Sequence, residues 1–201
     1  MFPNLFLTVQ TLTVSLRSNT LNKTIPTDVQ SGDLIVRMGS GFAPLKFPAR
    51  WTTAGYATSY SYGYELAAKI SDGTEGGNTV VLAGGTTDDV TLVFKGGLSD
   101  LSIGEQNQQG LDGNVSNQTL HGSNMGSVAI AIAVYSSLNR INGLVFRVGN
   151  VDDAFDGEFK VNNRATIRYK IFNGTTPKED ILVGANTSGV SYLSSTIINL
   201  S

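Results

Sequence analysis

Between Ser127 and Leu138 the chain reads SVAIAIAVYSSL, and its two parities differ in kind. Val128, Ile130, Ile132 and Val134 are branched, whereas Ala129, Ala131 and Ala133 are small and lead to Tyr135. Alternate residues of a strand face opposite sides of a sheet. Both parities are apolar, which predicts a central strand covered on both faces. The alanine face would let another element come close. A helix fits less well, because the run is short, alternates β-branched residues with alanine, and is entered through the glycine-rich stretch Gly122–Gly126.

The remaining pattern is also one of strands and turns. Leu5, Leu7 and Val9 share one parity, and Leu12, Val14 and Leu16 share the other. The switch near Gln10–Thr11 predicts a bulge, a kink, or a strand passing from one sheet to another. SGDLIVRM (Ser31–Met38) reads as a short buried strand behind a Gly-Asp turn, and Gly39–Thr58 reads as irregular. Tyr60, Tyr62, Tyr64, Leu66, Ala68 and Ile70 alternate with Ser61, Gly63, Glu65, Ala67 and Lys69, the clearest period of two in the chain. Shorter strands are predicted at Thr79–Ala83, Val90–Phe94 and Leu101–Ile103. Gly104–Gly126 is the longest polar segment. It should be a surface loop or an ordered excursion along a sheet edge, with a short edge strand at Asn117–Leu120. Strands Gly143–Val148 and Gly157–Val161 flank the acidic turn VDDAFDG. In the next strand Ala165, Ile167, Tyr169 and Ile171 alternate with Thr166, Arg168 and Lys170, which predicts one wet face. Ile181–Val183 and Val190–Leu200 finish the chain.

This is an all-β pattern: an antiparallel, jelly-roll-like β-sandwich of about ten to twelve short strands with little or no helix. One domain is expected over 1–201, with the N-terminal segment 1–20 reaching a neighbouring subunit. The predicted core sets Val128, Ile130, Ile132 and Val134 beside Tyr62, Tyr64, Leu66, Leu92 and Phe94.

Composition narrows the partners. Charged residues are 15% of the chain and the formal net charge is −2, so neither nucleic acid nor an anionic membrane is expected. No apolar run approaches the roughly 18–20 residues that span a bilayer. The start, MFPNLFLTVQTLTVSLR, alternates apolar with polar residues and has no basic residue before them, so it reads as mature and folded rather than as a signal peptide. Cysteine is absent and there is one histidine, His121, which removes thiolate and histidine-rich metal sites.

Catalytic chemistry is thin. His121 lies in a polar loop with no G-x-S-x-G elbow, so it reads as a solvated residue and not a general base. Gly39-Ser40-Gly41 lacks the strand–turn–helix setting of a dinucleotide site. Asp152, Asp153, Asp156 and Glu158 crowd one turn but fail the EF-hand pattern at Ala154 and Asn163. A solvated acidic hairpin is the preferred reading, and a non-EF-hand calcium loop the alternative. Asp33, Glu65, Asp72, Glu75, Asp88 and Asp89 read as turn and wet-face residues, although paired carboxylates of a glycosidase would meet only in the fold. Trp51 reads as a plug beneath a loop, with a sugar-stacking platform as the alternative. Sequons at Asn22, Asn114, Asn117, Asn173 and Asn186 are expected from composition alone. No catalytic residue, cofactor or metal is assigned.

SGDLIVRM, FPARWTTAGY, YGYELAAKISDGTEGG, VTLVFKGGLSDLSIGEQNQQGLDGNVSNQTL and SVAIAIAVYSS follow one another over Ser31–Ser137. In this order they resemble small β-sandwich structural proteins of tailed bacteriophages, especially phages of marine bacteria. The resemblance implies a non-enzymatic virion component with no catalytic residues to carry over. Capsid decoration is the first expectation. A tail-fibre or spike domain that binds a host glycan through Trp51, the Tyr60–Tyr64 strip and the polar segment is the second. A carbohydrate-active enzyme is a third, and would need two convergent carboxylates. The implied partners are other virion proteins and copies of the chain itself, with a trimer suiting either setting. One or both of the uncharged terminal strands, Leu5–Leu16 and Val190–Leu200, are expected at the contact, the alternative being that both pair within the chain's own sheets.

Overall fold

The computed structural model describes residues 12–42, 46–59, 62–80, 86–110, 117–136, 143–161, 165–174, 176–185 and 192–201. In chain order the strands are β1 (Ser15–Thr20), β2 (Leu34–Phe42), β3 (Thr52–Ser59), β4 (Tyr62–Ile70), β5 (Thr86–Lys95), β6 (Leu101–Gly110), β7 (Gln118–Leu120), β8 (Val128–Ser136), β9 (Leu144–Val148), β10 (Val151–Asp152), β11 (Gly157–Val161), β12 (Ala165–Phe172), β13 (Ile181–Ala185) and β14 (Tyr192–Leu200). The helical content among the described residues is one 3-10 turn, Gly122–Asn124.

The strands form three antiparallel sheets. The first has the order β1-β5-β2-β4-β3, the second β11-β12-β8-β14-β6, and the third β10-β9-β13-β7. The all-β sandwich read from the sequence is the fold, with fourteen strands among the described residues and three layers. The third layer follows from β8. Its branched parity packs on the first sheet, where Val128, Ile130, Ile132 and Val134 share one core with Tyr64, Leu66, Leu92 and Phe94. Its alanine parity and Tyr135 pack on the third sheet, with Leu120, Phe146, Ile181 and Val183. Of the predicted core only the Tyr62 side chain lies outside what is described.

A further apolar cover closes the other face of the first sheet. Ile35, Ala67 and Val93 project from β2, β4 and β5 and meet Ile25, Val29, Phe47 and Val80 from the connecting segments, with Trp51 at the border. The first sheet is therefore buried on both faces too. Three expectations change accordingly. Gly39–Thr58 is not irregular: β2 runs on to Phe42, and β3 begins at Thr52. The residues of β3 are small and polar, and its register shifts between Thr53 and Gly55, so no period of two marks it. Thr79–Ala83 is not a strand where described, because Thr79 makes only an isolated bridge to Thr24. The predicted short strand at Leu101–Ile103 runs on to Gly110, and Gln118–Leu120 is the edge strand expected there, so this part of the polar segment is an excursion along sheet edges.

The two ends of the chain differ from one another. β14 lies inside the second sheet, paired to β8 on one side and β6 on the other, and is buried almost throughout. It has no free edge, which corrects its expected place at a contact. Among the described residues β1 is an edge strand paired only to β5. Val14, just before it, is in the core, and the Asn173 side chain holds its backbone like a neighbouring strand: Val14 N donates to Asn173 Oδ1 (2.8 Å), and Asn173 Nδ2 donates to Val14 O (3.1 Å). Leu5, Leu7, Val9 and the parity switch at Gln10–Thr11 lie outside the described residues.

Candidate functional site

Four groups of polar residues carry whatever chemistry the fold offers. The first is a charged row on the covered face of the first sheet. Gly39 of β2 stands opposite Glu65 of β4 on one side and Asp89 of β5 on the other, with Arg37 two residues along. Arg37 is fully buried; its Nη1 donates to Thr91 Oγ1 (2.8 Å) and its Nη2 lies 3.2 Å from Asp89 Oδ2. Burial pulls the Arg37 pKa down, and Asp89 opposes that pull. Glu65 accepts a hydrogen bond from Thr53 Oγ1 (2.9 Å), and burial pushes its pKa up. To act as an acid pair, Glu65 and Asp89 would have to work across β2, which stands between them. Asp89 is committed to Arg37, however, and breaking such a buried pair costs about 3–5 kcal/mol.

Sequence reasoning placed six carboxylates on turns and wet faces. Four of them are buried: Asp33, Glu65, Glu75 and Asp89. Asp33 pairs with Arg17 Nε (2.8 Å) and accepts from Gln30 N (2.8 Å). Glu75 pairs with Lys69 and accepts from Ser71 Oγ (2.6 Å). These bonds pin the apolar cover to the sheet, a task invisible without the fold. Asp72 is exposed as expected, and the Asp88 side chain is outside what is described.

The second group is the acidic hairpin. Asp152 pairs with Arg147 (2.6 Å), Asp153 and Glu158 with Arg168 (3.2 and 2.8 Å), and Asp156 with Lys170 (2.7 Å). Arg168 also lies over the Phe155 ring, 4.5 Å from its centroid. Every carboxylate of the turn has a cation, Asp153 and Glu158 sharing Arg168, which opposes calcium at this turn. The expected wet face of β12 is thus folded under this hairpin, with Thr166 buried and Arg168 mostly so.

The third group joins the edges of the second and third sheets. In β6 the register shifts between the pairs Thr196–Gln106 and Ile198–Ile103, an extra residue at Gly104–Glu105. Leu101 and Ile103 therefore face the first sheet, while Glu105 and Asn107 face the third. Glu105 accepts from the backbone N of His121 (2.7 Å) and from Asn124 Nδ2 (2.9 Å), and its other oxygen lies 3.0 Å from His121 Nδ1. Asn107 Nδ2 donates to Thr119 O (2.9 Å). Burial acts to raise the Glu105 pKa, but the donors from His121, Asn124 and Asn107 outweigh it and hold the value down. The His121 value is held up by the same contact. His121 is exposed, as expected, but is tied to a carboxylate.

The fourth group is a cavity of about 310 Å³ between the ends of the first and second sheets. Ile70 and Leu101 form apolar wall, and Arg50, Thr52, Asp72 and Asp100 its polar rim. Arg50 holds φ +76°, one of two non-glycine residues with positive φ among those described. That conformation is uncommon for a long side chain.

Among the described residues the suggested glycan surface does not come together. Trp51 packs on Phe47 (ring centroids 5.2 Å apart) as the expected plug, and Tyr64 is buried in the core with Ser194 and the Val134 carbonyl at its hydroxyl. Tyr60 lies outside the described residues. Gly39-Ser40-Gly41 sits within β2. Of the sequons, Asn22 accepts from Thr24 N and Asn173 clamps Val14, while Asn114 and Asn186 lie outside the described residues. Among the described residues no helix is long and apolar enough to cross a membrane. Comparison with protein-family models, curated proteins and solved structures returns no match.

Proposed function

We propose that the chain is a non-enzymatic structural subunit of a bacteriophage virion that decorates the capsid, bound to other virion proteins and to copies of itself. One observation carries this reading. The acidic groups that would do chemistry are instead used as ties: Asp89 to Arg37, Glu75 to Lys69, Glu158 to Arg168, Glu105 to His121. A fold whose charges fasten its own layers suits a part that must persist rather than turn over. The phage resemblance of Ser31–Ser137 points the same way.

The contact is assigned to the N-terminal edge. β1 has one paired side, and unpaired strand edges invite partners. Removing residues 1–11 leaves Val14 and its Asn173 clamp in place. The truncated chain is expected to stay folded by circular dichroism and to lose assembly by light scattering. Normal assembly without the segment would sink the contact. A map of the whole virion tests the function itself: the reading requires density for this chain on the capsid shell. Density at a tail tip would replace it with the fibre reading.

A further inference from the structure

Asn173 is followed by Gly174, the dipeptide in which a side-chain amide is most open to attack by its own backbone. Glycine puts no side chain over the attacking nitrogen. In the fold Gly174 holds φ +94°, and nothing lies within 4 Å of where a Cβ would stand. Lys178 Nζ donates to Gly174 O (2.8 Å), so a cation stands at the residue whose peptide N–H must ionise. Asn173 itself is exposed, so water reaches it. The requirements of spontaneous deamidation are therefore gathered at this turn.

The same amide has a structural task. It links the end of β12 to the residue just before β1: Asn173 Oδ1 accepts from Val14 N (2.8 Å), and Asn173 Nδ2 donates to Val14 O (3.1 Å). While both bonds hold, the amide plane is fixed, and turning Cγ onto Gly174 N would break them. Reaction and clamp thus exclude one another. The product excludes the clamp as well. Ionised at neutral pH, an aspartate has no hydrogen to donate, so its second oxygen would face Val14 O, acceptor against acceptor. Val14 is buried, which makes an unpartnered carbonyl there costly. The isoaspartate form also adds a methylene to the main chain at the turn.

We propose that Asn173 is a self-modifying latch on the segment that leads into β1. While Asn173 grips Val14, its amide is protected. Once the grip opens, Gly174 N loses its proton and bonds to Asn173 Cγ, the Cγ–Nδ2 bond breaks, and ammonia leaves. Water then opens the succinimide to aspartate or isoaspartate, neither of which takes Val14 back. The inference stands apart from the capsid reading, because clamp and reaction both lie in the isolated chain. The test follows the full chain in mildly alkaline buffer, native and in urea, by peptide mapping with mass spectrometry, which separates this site from Asn142-Gly143. Asn173 should convert in both samples, about tenfold or more slowly in the native one, since the grip must open first. Val14→Pro lacks the N–H that Oδ1 accepts and should raise the native rate severalfold. Asn173→Asp, the product made directly, should speed amide exchange at Thr13, Val14 and Ser15 about tenfold at neutral pH while leaving β8 unchanged. That variant carries the test alone if Val14→Pro unfolds. Native conversion as fast as in urea, no native conversion at all, an unchanged rate in folded Val14→Pro, or unchanged exchange in Asn173→Asp would overturn the proposal.

Discussion

The second sheet has two faces that hold their neighbours by different means. Toward the first sheet β8 offers Val128, Ile130, Ile132 and Val134, met by Leu34, Val36, Met38, Leu92 and Phe94. These side chains interdigitate, and burial of large apolar groups supplies the adhesion. Toward the third sheet the same strand offers three alanines and Tyr135. Alanine has little area to bury, so that interface gains from close approach and from polar ties. Tyr135 Oη donates to Val145 O (2.6 Å), Ser195 Oγ to Gln118 Oε1 (2.9 Å), and Asn107 Nδ2 to Thr119 O (2.9 Å). The third sheet is also the smallest, four strands of which β10 has two residues and β7 three. One strand thus serves two kinds of interface, a bulky one that is filled and a small one that is fastened.

Shortening a side chain on the bulky face should have the largest effect. Ile132 is fully buried, and Ile132→Ala leaves a cavity between the first and second sheets, with an expected loss of about 2–5 kcal/mol in urea unfolding. A loss below about 0.5 kcal/mol, as at an ordinary surface position, would show that this face is not a filled core. On the small face the sign of the useful change reverses. Ala131, equally buried, lies against the third sheet, and Ala131→Leu should destabilise by about 1–3 kcal/mol through overpacking. A neutral result would mean that the third sheet stands off the alanines, and the contrast between the two faces would collapse.

Much of this was legible in the chain. The two parities of Ser127–Leu138 announced a strand covered on both faces, and the alanine parity announced the close layer. What the alternation could not convey was the number of layers, because the third sheet comes from short segments such as Gln118–Leu120 and Ile181–Ala185 whose pairing is non-local. β3 was missed because its small polar residues and bulge carry no period of two. The polar ties were missed for a related reason. Glu65, Asp89 and Glu105 resemble any wet-face residue until the cover, the ion pair or the bulge is in place, and the flip of β6 at Gly104–Glu105 sends Glu105 toward the third sheet against the parity of Leu101 and Ile103. The cavity at Arg50 joins residues from three separate stretches and left no motif to find.

The smallest expected effect is the one that best separates the two faces. Around the filled core the perturbed groups are tyrosines such as Tyr64, pushed up by burial and uncharged across the ordinary pH range. At the fastened edge, Glu105 is held below its usual value and His121 above its own. A carboxylate with a depressed folded pKa stabilises fully above its unfolded value, about 4.3, and that gain is lost as pH falls through the folded value. A histidine with a raised folded pKa stabilises fully below about 6.5, and loses the gain as pH rises through the folded value. Both contributions are complete only between about pH 4.3 and 6.5. Asp180, which acts on the same histidine, pushes its value further up, so the loss above about pH 6.5 runs on to a higher pH. Amide exchange, corrected for its intrinsic pH dependence, should therefore show β7 and His121 best protected in that window and looser on either side. Amides of β8, a strand without aspartate, glutamate or histidine, should show no such maximum. The Glu105→Gln variant should flatten the profile at β7 and leave β8 unchanged. A maximum shared equally by all three sheets would place the pH response in the whole fold, and the fastened edge would then be no different from the filled core.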